Sequence, residues 1–308
     1  MFVRLLSILL LLFILGNGIA FSQNWRFIRH EVMFGVGASN FLGELGGNDG
    51  IGLNGFQSVR DLEFSLTRPV FTIGYRYKLT QSIGLRSSIF LGRVDGDDTK
   101  TLDPWRRNRN LHFKSVIAEL SGVIEWYPFS ENFGHVYRLT GAKGKKVRYF
   151  SPYFFGGGGA FLFNPKAKYQ RSGAWESLYK YKTEQTDYKR YSAAIIYGMG
   201  FKYALDKQWS IGLEFGMRKT FTDYIDDVST VYIDQTQIAS YANSNGLDAI
   251  KALWFADPNL SLPEATVNPG PISAGEQRGD NSDLDSYMFA IFSIHYRLLR
   301  GRFHLPKF

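Results

Sequence analysis

The sequence predicts an all-β fold: an eight-stranded antiparallel transmembrane β-barrel of the outer-membrane type with long extracellular loops. Three observations lead there. The stretch Trp209–Thr220 alternates strictly: Trp209, Ile211, Leu213, Phe215 and Met217 take one face, and Ser210, Gly212, Glu214, Gly216, Arg218 and Thr220 take the other. Period-2 alternation of this length is a strand with one apolar and one polar side. Aromatic residues make up 16% of the chain, with 26 Phe, 18 Tyr and 32 Gly, yet no apolar run after Gln23 is long enough for a membrane helix. Barrels place aromatics at the membrane interfaces and use glycine where the interior is crowded. Third, tight and long connections segregate to opposite ends of the strands, as short periplasmic turns and long outer loops do.

The N-terminus supplies the route to that location. Arg4 gives a positive start, Leu5–Leu15 is an apolar core, and Ala20-Phe21-Ser22 places small residues where a signal peptidase reads. The apolar core falls well short of the ~20 residues of a spanning helix, so residues 1–22 read as a signal peptide cleaved before Gln23. Residues 23–308 then form one barrel domain. The absence of cysteine excludes a lipid-modified N-terminus, disulfides and thiolate metal sites. The formal charge of +8 is mild and dispersed, with no basic-aromatic nucleic-acid motif, so no nucleic-acid partner is expected.

The strands follow in order. The first, Glu31–Phe41, sets Val32, Phe34, Val36 and Ala38 against Met33, Gly35, Gly37 and Ser39. The glycine-rich loop after it lacks the spacing and the following helix of a phosphate cradle. Thr67–Leu79 and Ile83–Val94 form a hairpin around Thr80-Gln81-Ser82. After a polar loop, Phe113–Phe129 sets Val116, Leu120, Ile124 and Trp126 against Ser115, Glu119, Ser121 and Glu125. Ser130–Tyr149 is a basic connection, long for the periplasmic side. The fifth strand, Ser151–Phe163, loses its alternation at Gly156–Gly159, which signals a bend or a crowded neighbour. A Lys-, Tyr- and Gln-rich loop spans Asn164–Lys189. Tyr191–Leu205 and the strand from Trp209 pair through Asp206-Lys207-Gln208. An extracellular insertion at about 223–285 carries a helix-like piece near Gly246–Trp254, and Ser286–Leu298 closes the set.

An eight-stranded barrel has an interior that side chains can fill. The expected lumen holds Arg76, Arg86, Arg218, Lys78 and Lys202 beside Glu119, Glu125 and Glu214. Unpaired charges there would carry a large desolvation cost, so they read as a structural ion-pair plug rather than a channel lining. Ser293 and His295 share one face of the last strand. A nucleophile-base pair needs an orienting acid, and none is placed beside them by the sequence, so they read as lumen-lining polar residues rather than a lipid-hydrolase site. The acidic turn Asp223, Asp226 and Asp227 reads as a loop anchor pairing with Arg218 or with loop arginines such as Arg68 and Arg93; a divalent-cation site is the alternative. No catalytic residue, cofactor, metal or small-molecule substrate is expected.

Four pieces together resemble a known family: GVGASNFLGELGG (Gly35–Gly47), TRPVFTIGYRYKL (Thr67–Leu79), SPYFFGGGGAFLFNP (Ser151–Pro165) and RKTFTDYIDDVSTVY (Arg218–Tyr232). The chain is similar to the PorG-like outer-membrane barrels of the Bacteroidota type IX secretion system. That resemblance implies a non-enzymatic barrel among outer-membrane lipids, contacting a periplasmic ring built from a lipoprotein and its partner. Topology places Lys143, Lys145, Lys146 and Arg148 on the periplasmic side, as candidate contacts with the ring. A stand-alone structural or adhesion barrel, binding a surface ligand through its long loops, is the alternative, with a lipid hydrolase third.

Overall fold

A computed structural model describes residues 29–43, 45, 66–101, 103–131, 148–259, 273–282 and 284–298. The expected signal peptide, residues 1–22, together with Lys143, Lys145, Lys146 and most of the loop after the first strand, lies outside the described residues. Among the described residues ten strands form one sheet. The barrel strands are β1 (His30–Leu42), β2 (Arg68–Lys78), β3 (Ile83–Asp97), β4 (His112–Trp126), β5 (Phe150–Leu162), β8 (Tyr191–Ala204), β9 (Trp209–Thr220) and β10 (Ser286–Leu298). They run β3-β2-β1-β10-β9-β8-β5-β4, and β3 pairs back onto β4 to close the ring. Every pairing is antiparallel. Closure leaves no free edge among these eight strands, so their ladder groups are satisfied without water.

The tight turns carry their own chemistry. Thr80 Oγ1 accepts from the backbone N–H of Ser82 at 3.2 Å and of Ile83 at 3.0 Å. Asp206 Oδ1 accepts from Gln208 N and Trp209 N, both at 2.6 Å. Such side-chain-to-backbone bonds fix a short turn and with it the strand register.

Alternation sorts the side chains as the sequence predicts. Phe34, Leu120, Ile124 and Leu162 are 56%, 58%, 59% and 60% exposed on the outer wall. A continuous apolar belt of that kind is stable against lipid, not water. Aromatics gather toward the end where β1 begins: Trp126 stacks on Phe154, Phe150 on Phe201, and Trp209 lies 4.7 Å from Tyr296 between ring centroids. In β5 alternation fails because Gly156, Gly157 and Gly158 are all exposed. A Cβ on Gly157 would lie 2.2 Å from Gly122 O, so the backbones of β4 and β5 approach too closely there for a side chain.

At the opposite end the connections fold into a cap. The stretch expected as a loop, Asn164–Lys189, contains a short hairpin of β6 (Pro165–Lys168) and β7 (Trp175–Ser177), which pairs with the outer end of β4. Among its described residues the insertion holds two helices, Gln235–Ser244 and Ala249–Ala256, rather than one piece near Gly246–Trp254. Asp234 and Asp248 cap them, each accepting from backbone N–H groups of the first turn. Ala167, Leu178, Tyr181, Ile238, Ala242, Ala252 and Phe255 bury one another, so the cap has its own core.

Candidate functional site

The lumen divides into two layers. In the half nearer the aromatic end lies a charged layer. Arg76 reaches Glu125 twice, Nε to Oε2 at 2.5 Å and Nη2 to Oε1 at 2.9 Å, and also bonds Glu31. Arg86 lies 2.7 Å from Glu125 and 2.9 Å from Glu214. Tyr127 donates to Glu125 at 2.6 Å and Tyr153 to Glu214 at 2.9 Å. Lys202 pairs with Glu31 and lies 3.1 Å from Glu131, and Arg297 bonds Glu131 as well. Arg218 and Glu119, 3.2 Å apart, sit higher, where Tyr287 donates to Glu119 at 2.8 Å.

Above them the lumen is apolar. Val70, Phe90, Phe113, Ile117, Phe161, Phe289 and Ile291 fill it, and Ile225 and Val228 reach in from the cap. The Arg218 guanidinium lies 4.8 Å and 4.3 Å from the ring centroids of Phe90 and Phe289, so this cation marks the boundary between the layers. The expected ion-pair plug is therefore half of the filling, and a hydrophobic plug is the other half. The acids Glu31, Glu119, Glu125, Glu131 and Glu214 match the bases Arg76, Arg86, Lys202, Arg218 and Arg297 one for one. A low-dielectric interior demands that matching. Lys78, expected inside, lies instead at the strand end, half-buried over the Tyr127 ring.

Ser293 and His295 do meet an acid. Ser293 Oγ lies 2.8 Å from His295 Nε2, and His295 Nδ1 lies 3.0 Å from Glu31 Oε1. The order serine–imidazole–carboxylate is that of a hydrolase triad. Its surroundings are not. All three side chains are buried, Arg76 Nη1 stands 3.1 Å from the same Nδ1, and a Cβ on Gly212 would come within 2.6 Å of His295 Nε2 and 2.9 Å of Ser293 Oγ. An acyl substrate has no room beside the serine on that face, and Glu31 is already held by Arg76 and Lys202.

The acidic turn ties the long insertion to the connection that precedes β8. Asp227, at φ 72°, accepts from Thr183 Oγ1 at 2.6 Å and from Tyr188 OH at 2.5 Å. Burial pushes its carboxyl up to about 6, although Arg278 and both hydroxyls act against the rise. Asp226 caps the turn by accepting from Val228 N at 3.0 Å. Tyr224 stacks on Tyr188 with centroids 4.6 Å apart, and Tyr188 on Phe163 at 6.3 Å. Asp223 is buried beside them. The expected arginine partners are engaged elsewhere: Arg218 with Glu119, and Arg68 and Arg93 with Asp95 at 2.6 and 2.8 Å. Among the described residues no group of three or more His, Asp or Glu is arranged to hold a metal ion. Two further buried pairs brace the cap. Arg278 Nη1 bonds Glu184 at 2.6 Å, while Glu184 accepts from Ser229 N and Thr230 N. Arg109 grips Asp98 at 2.8 and 3.0 Å.

Of the lumen residues left out of the sequence reading, Glu31 and Arg297 were legible, since each shares the parity of a residue already facing inward. Glu131 was not: it follows β4 in an irregular connection, and only the fold brings it under Lys202. Of the proposed periplasmic contacts, Arg148 is described; it is exposed, its guanidinium 5.3 Å from the Phe129 ring.

Several solved outer-membrane proteins are similar in fold. The attachment invasion locus protein Ail of Yersinia pestis matches at 11% identity and a TM-score of 0.35, over 88% of this chain and 99% of that one. OprG of Pseudomonas aeruginosa matches at 9% and 0.38, over 89% and 98%, and Neisserial surface protein A at 6% and 0.38, over 87% and 97%. At such values the likeness carries no inference about activity. No curated protein matches the sequence. A family model described as a domain of unknown function, DUF6089, matches residues 4–249, and the chain belongs to that family.

Proposed function

We propose that the protein is a non-enzymatic outer-membrane scaffold that acts through its two ends and not through its bore. The observation that carries this reading is the doubly filled lumen: a matched ion-pair layer beneath an apolar plug. A barrel of this width filled in this way has no path for solute. The short turns Leu79–Ser82 and Leu205–Gln208 belong on the periplasmic side and the folded cap outside. Within that frame the chain serves the type IX secretion machinery, contacting the periplasmic ring lipoprotein and its partner. Support comes from the family-like sequence pieces, from Arg148 exposed at the periplasmic end, and from the basic run Lys143, Lys145 and Lys146 beside it.

The experiment is affinity purification of the tagged full chain from outer membranes in mild detergent, with identification of what accompanies it. Ring components should co-purify, and reversing the charge of Lys143, Lys145, Lys146 and Arg148 should lower their yield. Recovery of the barrel alone would overturn the secretion role.

A second reading has its own observation. The cap has a buried core and internal ion pairs, which a mere set of connections does not need. An adhesion barrel would present such a cap to a surface ligand. Removing the outer insertion would then abolish surface binding and leave secretion intact.

A further inference from the structure

Outside the lumen, the described residues carry one concentrated charge feature on the side wall. The short hairpin β6–β7 flanks the outer end of β4, and its register puts Lys114 opposite Lys166, and Lys168 opposite Trp175. These four side chains share the outer face with Val116 and Leu120. Arg93 joins them from β3, where it pairs with Val116. Two of the cations sit two residues beyond an exposed apolar one, Arg93 after Leu91 and Lys114 before Val116, a rise of about 7 Å. Lys114 Nζ lies 3.8 Å from the centroid of Trp175, and Lys168 Nζ lies 5.3 Å from it.

The cluster is short of counter-charge. Its acidic neighbours on that face are already engaged: Asp95 is shared by Arg68 and Arg93, and Asp97 pairs with Arg171 at 3.0 Å. Among the described residues none of Lys114, Lys166 and Lys168 forms an ion pair. Cations crowded on one face repel one another until an anion joins them. The three lysines are half-buried, and two of their ammonium groups lie over the exposed Trp175 ring, an amphipathic arrangement that suits a membrane boundary. The ligand that meets such a wall is anchored in the belt just below it.

We propose that Arg93, Lys114, Lys166 and Lys168, on one outer face with Trp175, bind the phosphate groups of a phosphorylated glycolipid of the outer leaflet. The acyl chains lie on Leu91, Val116 and Leu120 below. A soluble anionic glycan fits less well, because the cations face sideways above lipid and not upward from the cap. The inference rests on the cap facing outward, as proposed above.

The test uses the full-length barrel in detergent and native mass spectrometry, with diphosphoryl lipid A and its dephosphorylated form as probes. The wild type should retain the diphosphoryl lipid and release the other. Lys114→Gln/Lys166→Gln/Lys168→Gln should bind on the order of a hundredfold more weakly, at roughly a few-fold per lysine near an anionic surface. Lys166→Gln alone should give a smaller loss, and heat-shifted gel mobility reports whether each variant is folded. Equal retention by the folded triple variant, or of the dephosphorylated lipid, would overturn the proposal. So would binding of soluble heparin without lipid A. Orientation is read separately. The chain has no cysteine, so Gln170→Cys can be labelled on intact cells with an impermeant maleimide. Labelling without lipid A binding sinks only the lipid site; no labelling sinks the outward cap and the lipid site with it.

Discussion

Arg76 and Glu125 join β2 and β4 through the lumen by two parallel hydrogen bonds, and the same guanidinium holds Glu31 of β1. One cation thus ties three strands. Arg76→Met would leave two carboxylates in a closed interior with a cation missing. The expected loss is roughly 3–5 kcal/mol, the range for breaking a buried pair on one side. Urea unfolding in vesicles, followed by heat-shifted gel mobility, measures it. Glu125→Gln should also destabilise, because Arg86 relies on the same carboxylate. The double variant should recover part of the summed loss, since the two residues are directly coupled. Strict additivity would show that the pair contributes little.

Ser293 touches His295, yet the site is walled by Gly212 and by the cations on Glu31. Ser293→Ala should therefore leave fatty-acid release from phospholipid vesicles at the wild-type level. Its cost should be about 1 kcal/mol, a single buried hydrogen bond. Glu31→Gln should cost far more, because Lys202, Arg76 and His295 all face it. Lipid release by the wild type that vanishes in Ser293→Ala would make the triad catalytic and the scaffold reading wrong.

These two sites show what a linear pattern carries. The inward face of each strand is a matter of parity, so Arg76, Arg86, Glu119, Glu214 and Arg218 could be placed from neighbours two residues away. Which acid meets which base depends on the stagger around the ring, and that is fixed only at closure. Glu131 shows the limit, because an irregular connection has no parity. The cap shows it again. The helix Gln235–Ser244 is mostly polar, and its buried face is two residues, Ile238 and Ala242. Arg278 and Glu184 are 94 residues apart, and nothing local links them.

Asp227 gives the cap a pH dependence. Its carboxyl titrates near 6 in the fold against an ordinary 3.8. An acid whose folded value is raised favours the fold in its protonated form. The contribution is complete below about 4 and is lost as pH rises through 6. The difference is on the order of 3 kcal/mol between those limits. Limited proteolysis of the cap should accordingly be slower at pH 5 than at pH 7. Asp227→Asn should flatten that slope, because an amide still accepts from Thr183 and carries no charge into the site. Glu176 does not interfere: its neighbours Lys251, Tyr181 and Lys180 hold it down to about 2 against the effect of burial, so it stays ionised across this window. An unchanged pH slope in Asp227→Asn would move the effect to Asp98, whose carboxyl burial also pushes up.

The four glycines of β5 should differ among themselves. A Cβ on Gly157 would meet Gly122 O at 2.2 Å and Val123 Cα at 2.7 Å, both backbone atoms that cannot turn aside. A Cβ on Gly156 meets nothing within 4 Å, and on Gly158 only Ala194 O at 3.6 Å. Gly159 is intermediate, with Leu120 O at 2.9 Å. Alanine at any of them narrows the unfolded ensemble, an effect worth about 0.4–1 kcal/mol where the fold accepts it. Gly156→Ala and Gly158→Ala should therefore be neutral or slightly stabilising. Gly157→Ala must push β4 and β5 apart, and should lower stability by more than about 1 kcal/mol. Refolding each variant into vesicles and comparing urea midpoints separates them. Equal midpoints for Gly156→Ala and Gly157→Ala would mean that the close approach of β4 and β5 is not what the glycines provide.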